Sequence, residues 1–167
     1  MNMGVIIEKL TWGSWTPHKF KIAVSGCPRN CAEATIKDLG IIGVDSGWEI
    51  HIAGNGGIKV RVTDLLCKVE TDEELLTYVK AFMQFYREDA YYLERTAHWV
   101  ERTGLQYVKD VMLDKQKVSY YANKFEISQK SAQVDPWAKA IEEGFTKEFN
   151  PIVINPEQSH SFEAKEI

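Results

Sequence analysis

Ser25-Gly26-Cys27-Pro28-Arg29-Asn30-Cys31-Ala32-Glu33-Ala34 is the stretch that decides how this chain folds and what it can hold. Residues 19–24 before it run from alternating charged and apolar to fully apolar, which predicts a strand. Residues 28–37 read as a short helix. On such a helix, two cysteines four positions apart lie on one face, one turn apart. Gly26 lets the backbone turn sharply out of the strand. Pro28 suits a first helical turn, where its missing N–H costs nothing. The positive end of that helix, with Arg29 nearby, would favour thiolates at Cys27 and Cys31. Two soft thiolates side by side suit an iron–sulfur cluster. By spacing alone they also suit zinc with a histidine such as His18 or His51, thiol redox chemistry, or a plain pair of thiols.

Downstream, residues 39–44 are apolar and punctuated by glycine, as in a buried strand. Asp45-Ser46-Gly47 signals a tight turn, and residues 48–53 alternate as the second strand of a hairpin. Gly54-Asn55-Gly56-Gly57 reads as a loop that a ligand can approach closely. Residues 58–62 alternate again, with Lys59 and Arg61 on one face. Upstream, residues 2–11 predict a short helix with Val5, Ile6 and Leu10 on one side, ended at residues 12–17. Thr71-Asp72-Glu73-Glu74 is a capping box opening the longest helix, along which Leu75, Leu76, Val79, Phe82, Met83 and Tyr86 recur at helical spacing. Further helices are expected over residues 91–102, with Gly104 as the stop, and over residues 105–117. The pattern weakens after Tyr121. Asp135-Pro136-Trp137 caps a short helix to residue 143, and residues 150–167 read as a tail without periodicity. The expected fold class is α+β: a small mixed or antiparallel sheet with the cysteine helix packed on it, followed by a helical C-terminal section.

Composition sets the outer limits. The chain has 167 residues, 44% of them hydrophobic and 11% aromatic, enough for a core. A net charge of −4 argues against non-specific nucleic-acid binding. No apolar run approaches the roughly 20 residues of a membrane span. Residues 1–10 lack a basic leader and apolar core, so no signal peptide is expected and a cytoplasmic location is. Three cysteines, two of them close together, then suggest metal or redox chemistry more than structural disulfides.

Cys27-Pro28-Arg29-Asn30-Cys31, Val24-Ser25-Gly26 before it, Leu39-Gly40-Ile41-Ile42-Gly43 after it and His51-Ile52-Ala53-Gly54-Asn55-Gly56-Gly57 together resemble the nitrite/sulfite reductase family over about residues 16–113. The sulfite reductases more often carry Cys-Pro-Asn-Gly-Cys at this place. The Pro-Arg-Asn spacer and Ala32-Glu33-Ala34 look like the C-terminal part of the large subunit in the assimilatory NAD(P)H nitrite reductase branch. The resemblance implies a [4Fe-4S] cluster coupled to a sirohaem and six-electron reduction of nitrite to ammonium, with FAD and NAD(P)H bound elsewhere in the intact enzyme. It makes Cys27 and Cys31 the second of two cysteine pairs, with the sulfur of Cys31 also bridging to the sirohaem iron.

The first pair, a Cys-x5-Cys, belongs to an upstream half that would be this chain's partner. Alone, the chain is expected to be inactive, to bind neither cluster nor sirohaem, and to self-associate through an exposed apolar patch.

No catalytic residue is assigned. Arg29, Asn30, Asn55 and Arg61 are the candidate cofactor-binding residues, and Cys27 and Cys31 the metal ligands. For Arg29 the rival reading is a solvated cation, for Asn30 a cap, for Asn55 a hairpin loop and for Arg61 a solvated strand face. Cys67 reads as a buried structural thiol. Other readings of the whole are a sulfite reductase-type fragment, a non-catalytic interaction module, and a zinc or thiol-redox site. The expected organisation is a linker over residues 1–18, the cluster and sirohaem half-domain over 19–113, and a helical extension and tail over 114–167.

Overall fold

The computed structural model describes residues 2–144. It is α+β, as expected. The sheet is built from β1 (Ile22–Ser25), β2 (Leu39–Val44), β3 (Gly47–Ile52) and β6 (Asp64–Val69), in the order β1-β2-β3-β6. β1 runs parallel to β2, with Ile22 opposite Leu39, and the other pairs are antiparallel. A separate two-stranded ribbon joins β4 (Asn55–Gly56) to β5 (Val60–Arg61).

β6 carries Leu66 and Val69 buried, three residues apart rather than two. The reason is a register shift opposite Ile50 and His51, where Cys67 and Leu65 face consecutive residues of β3. Such a bulge moves one side chain to the other face of the sheet.

β2 is buried on both faces. Leu39 and Ile41 belong to the core under the helices. On the opposite face the connection between β1 and β2 lies flat on Gly40, while Gly43 lets the turn after β1 close beside the strand. A Cβ at Gly40 would stand 2.2 Å from the carbonyl oxygen of Ala34, and one at Gly43 2.9 Å from that of Gly26.

That connection corrects the first expectation. Residues 28–37 do not form an α-helix. They make two tight turns and a single 3-10 turn, Ala34–Ile36. Asn30 and Glu33 both take φ of 53°, the left-handed region, which no continuous right-handed helix admits. The hydrogen bonds run Asn30 N to Cys27 O (3.1 Å) and Glu33 N to Asn30 O (2.9 Å), each closing a turn. There is therefore no helix end to face the thiols, and Cys27 and Cys31 are not one helical turn apart.

The helices are α1 (Asn2–Thr11), α2 (Asp72–Asp89), α3 (Thr96–Thr103), α4 (Leu105–Met112), α5 (Lys115–Ala132) and α6 (Pro136–Glu142). α1 buries Met3 and Ile7, whereas Val5 and Ile6 point to solvent, so the expected apolar side is turned by about a quarter. α2 is capped as read: Thr71 Oγ1 accepts from Glu74 N at 3.2 Å. The expected helix over residues 105–117 is two helices, because Asp114 breaks it by capping a new one, accepting from Gln116 N at 2.9 Å. α5 then runs far past Tyr121, burying Val118, Ala122, Phe125 and Gln129. The α2–α5 pair is flanked by Lys80–Glu126 (2.5 Å) and Lys124–Glu88 (2.7 Å).

Phe82, Phe85, Tyr86 and Trp99 form the aromatic centre of the core, with Phe85 edge-on to Trp99. Tyr91 and Tyr92 are exposed in the turn before α3.

The chain divides between Gln133 and Val134. The expected boundary at residue 113 thus falls inside the first unit. Within it, Gln129 Nε2 donates to the carbonyl oxygens of Leu10 (2.9 Å) and Trp12 (3.2 Å) at the end of α1. In the second unit Asp135 caps α6, accepting from Trp137 N at 2.9 Å. The tail reading for residues 150–167 lies outside the described residues. Among the described residues no helix is long and apolar enough to cross a membrane.

Candidate metal centre

The cysteine loop leaves the carboxyl end of β1, where it joins a parallel neighbour, the usual end for ligand sites beside parallel strands. Cys27 and Cys31 are both free and exposed. Cys27, with Gly26 and Pro28, opens onto a groove of about 740 Å³ whose far wall is Asp45, Ser46 and Trp48. Both cysteines are thus exposed, and Cys27 lies next to space.

The other expected site residues have mixed fates. Asn30 spends its side chain on the loop: Oδ1 accepts from Ala34 N at 2.7 Å and Nδ2 donates to Thr35 Oγ1 at 2.8 Å. Its place is a brace between the two cysteines and the 3-10 turn. Asn55 Nδ2 donates to Lys59 O at 2.8 Å, across its own hairpin.

Arg61 is turned inward. Nη1 donates to Ala53 O at 2.6 Å, Nη2 to Asp64 Oδ2 at 2.6 Å, and Nε lies 3.5 Å from Glu101. A guanidinium held in this way has little left for a cofactor carboxylate. Arg29 is exposed and has no ion-pair partner among the described residues, so of the two arginines it is the free cation beside the thiols.

Cys67 stands apart. It sits on β6 beside Tyr78, and burial pushes its thiol up to about 11, which keeps it protonated at neutral pH. His51 is bound up with its neighbours: Nε2 lies 3.3 Å from Glu49 Oε2, and Nδ1 lies 3.4 Å from Thr63 Oγ1. His18 Nδ1 accepts from Lys19 N at 2.7 Å. Among the described residues, no three His, Cys, Asp or Glu side chains converge to hold a metal ion. The zinc reading, which needs a histidine beside both cysteines, has no such group to stand on.

Two thiols fit half of a four-thiolate cradle, and the third cysteine lies half-buried elsewhere, on β6.

Sequence reasoning missed the anchor of the loop. Asp38, fully buried, accepts from Lys21 N (2.8 Å), Arg95 Nε (3.1 Å) and Nη2 (2.7 Å), and Thr96 Oγ1 (2.5 Å). It ties the end of the loop to the residues before β1 and to the start of α3. The only sequence signal was an aspartate directly before a buried strand. Its partners, 57 and 58 positions away, gave none.

Comparison with known proteins places these features in context. The family model described as nitrite and sulphite reductase 4Fe-4S domain matches residues 3–119. The nitrite reductase [NAD(P)H] of Bacillus subtilis is 49% identical over 143 residues, 86% of this chain and 18% of that protein. The nitrite reductase (NADH) large subunit of Escherichia coli is 45% identical over 116 residues, 68% of this chain and 14% of that protein. The assimilatory-type sulfite reductase of Nitratidesulfovibrio vulgaris is 33% identical over 113 residues, 68% of this chain and 52% of that protein. This chain spans less than a fifth of the length of the two nitrite reductases.

Proposed function

The chain belongs to the nitrite and sulphite reductase 4Fe-4S domain family, and from that membership we propose that it supplies Cys27 and Cys31 as two of the four ligands of an iron–sulfur cluster within a larger nitrite reductase. The observation that carries the reading is the pair of exposed cysteines on a braced loop at the carboxyl end of β1. Cys27 and Cys31 make up half of the set, and in this reading the remaining ligands belong to the upstream half of such an enzyme. When bound, the cluster supplies one-electron transfer. In the intact enzyme it adjoins a sirohaem and serves the reduction of nitrite to ammonium, with FAD and NAD(P)H bound in other domains.

The chain's own contributions are mechanical and electrostatic. The Asn30 amide fixes the bend between the two thiols, and Asp38 fixes the end of the loop against α3. The free guanidinium of Arg29 offsets thiolate charge or meets a cofactor carboxylate. Neither the chemistry of nitrite binding nor a proton relay is assigned to residues of this chain.

The reading takes nitrite rather than sulfite as the larger enzyme's substrate, supported by higher identity to the nitrite reductases (49% and 45%) than to the sulfite reductase (33%). The test is co-expression with the part of the Bacillus subtilis relative that lies outside the matched segment. Iron and sulfide are then measured in the purified complex. Incorporation that is lost in Cys27→Ser and in Cys31→Ser supports the reading. Full incorporation in both variants, or stoichiometric incorporation into the lone chain, refutes it.

A further inference from the structure

Tight turns hold Cys27 and Cys31 near each other without a helix. Asn30 N donates to Cys27 O at 3.1 Å and closes the first turn, with Pro28 and Arg29 at its centre. Neither central residue has a positive φ, so the turn is type I, for which Pro28 is pre-set. Asn30 follows at φ 53°. A type I turn followed by a left-handed residue makes a three-residue loop of the hairpin kind, and the residues flanking such a loop are paired. Here the flanking residues are Cys27 and Cys31. Paired positions stand about 4.5–5.5 Å apart at Cα, inside the window of roughly 4.4–6.8 Å that a disulfide bridges.

The loop is braced in that shape. Asn30 Oδ1 accepts from Ala34 N (2.7 Å), Asn30 Nδ2 donates to Thr35 Oγ1 (2.8 Å), and Ser25 Oγ donates to Cys27 O (3.3 Å). Joining the two sulfurs therefore orders little that is not ordered already. Both cysteines are free and exposed, and Cys27 lies on the groove beside Pro28, so a small oxidant reaches them. Cys67, half-buried on β6, stands outside this arrangement.

We propose that Cys27 and Cys31 form a reversible disulfide when they hold no metal, and that this bond regulates cluster loading. The regulatory half of the inference rests on the function proposed above. The co-reactant is a low-molecular-weight disulfide, RS–SR. The Cys27 thiolate attacks one of its sulfurs, the RS–SR bond breaks, and one RS⁻ leaves. The Cys31 thiolate then attacks Cys27 Sγ in the mixed disulfide, and the second RS⁻ leaves. In all, the two cysteines lose two electrons and two protons, and RS–SR takes them up as two RSH. Sulfurs bonded to each other offer iron no thiolate, so loading waits on reduction. An exposed disulfide across a tight loop is of the labile kind that small thiols reopen.

The test equilibrates the full chain with reduced and oxidised glutathione in varied ratio, alkylates it in denaturant and measures its mass. The expected result is loss of two of the three thiols with no glutathione attached. Trypsin cuts after Arg29, so the bond should appear as residues 22–29 linked to residues 30–37. Cys31→Ser, which lacks the second thiol, should keep glutathione on Cys27. Asn30→Ala should weaken closure about tenfold, and Asn30→Gly, which keeps the left-handed conformation, by less. Circular dichroism checks that these variants fold. Glutathione retained on the wild-type chain, a bond to Cys67, a linked dimer, three free thiols in oxidised glutathione alone, or equal closure of Asn30→Ala and wild type would each overturn the proposal. The regulatory half is read in the co-expressed complex described above. Stripped of iron by a chelator and treated with oxidised glutathione, it should take iron up again only after dithiothreitol, and uptake without dithiothreitol would overturn that half. Closure of the loop with iron unaffected by Cys27→Ser sinks the ligand assignment and leaves the disulfide standing. Iron lost in Cys27→Ser without closure does the reverse.

Discussion

Asp38 shows how much one side chain can decide. It is a fully buried carboxylate that four donors surround, two of them from one guanidinium. Replacing it by alanine leaves the half-buried Arg95 guanidinium uncompensated and Thr96 Oγ1 and Lys21 N without their acceptor, so Asp38→Ala is expected to lower stability by about 3 kcal/mol. Urea unfolding monitored by tryptophan fluorescence measures this, and a loss below 1 kcal/mol would contradict the geometry. Asn30 permits a sharper comparison, because its two contributions separate. Its left-handed backbone favours Asn or Gly, and its amide makes two loop bonds. Asn30→Gly keeps the first and loses the second, while Asn30→Ala loses both. The expected order of melting temperatures is therefore wild type, then Gly, then Ala, with Ala down by about 2 kcal/mol. Equal melting of the Gly and Ala variants would show that the backbone conformation carries no cost. At this scale the sequence was half legible. The two cysteines and the glycine turn were readable from residue type and spacing. The left-handed conformation at Asn30 and Glu33, which turns the expected helix into a loop, is a choice between local conformers that only the packing on Gly40 and Gly43 decides.

Elements were legible where one face repeats and illegible where the repeat is broken or diluted. The cap on α2 could be read directly from Thr71 and Glu74, and Thr71→Ala is expected to cost about 1 kcal/mol. Thermal unfolding would register this as a fall of about 3 °C. β6 could not be read, because its bulge moves Leu66 and Val69 three apart and hides the alternation of a strand. α5 could not be followed past Tyr121, because its buried stripe includes the small Ala122 and the polar Gln129, which dilute the apolar repeat.

Pairing between elements also predicts a response to acid. Lys68 holds Glu49 below the usual carboxylate value of 4.5, and Glu94 and Glu126 are lowered in the same way by Arg102 and Lys80. A carboxylate with a lowered folded-state pKa adds stability above its unfolded value and loses it as the pH falls through the folded one. The melting temperature should thus hold between pH 7 and about 5 and fall below about 4.5. A fall that begins near pH 6 would point to histidine instead.

At the scale of the molecule, the division at Gln133 gives the last prediction its form. α5 is not an appendage to the sheet domain: Phe125 is buried in the common core, Tyr121 packs on Phe85 at 5.3 Å, and Gln129 closes the end of α1. Each large core side chain on α5 is worth about 1.5–3 kcal/mol of burial, against a total stability of about 5–15 kcal/mol for a domain of this kind. Removing α5 therefore takes away a large part of the whole, and it also uncovers Phe85. A chain ending at residue 133 keeps α5 and should unfold cooperatively. One ending at residue 113 should show no cooperative transition and should bind a hydrophobic dye. If the shorter chain instead melted with a sharp transition, the cysteine loop and its sheet would be self-sufficient, and α5 would not belong to the core that holds Asp38 and the loop in place.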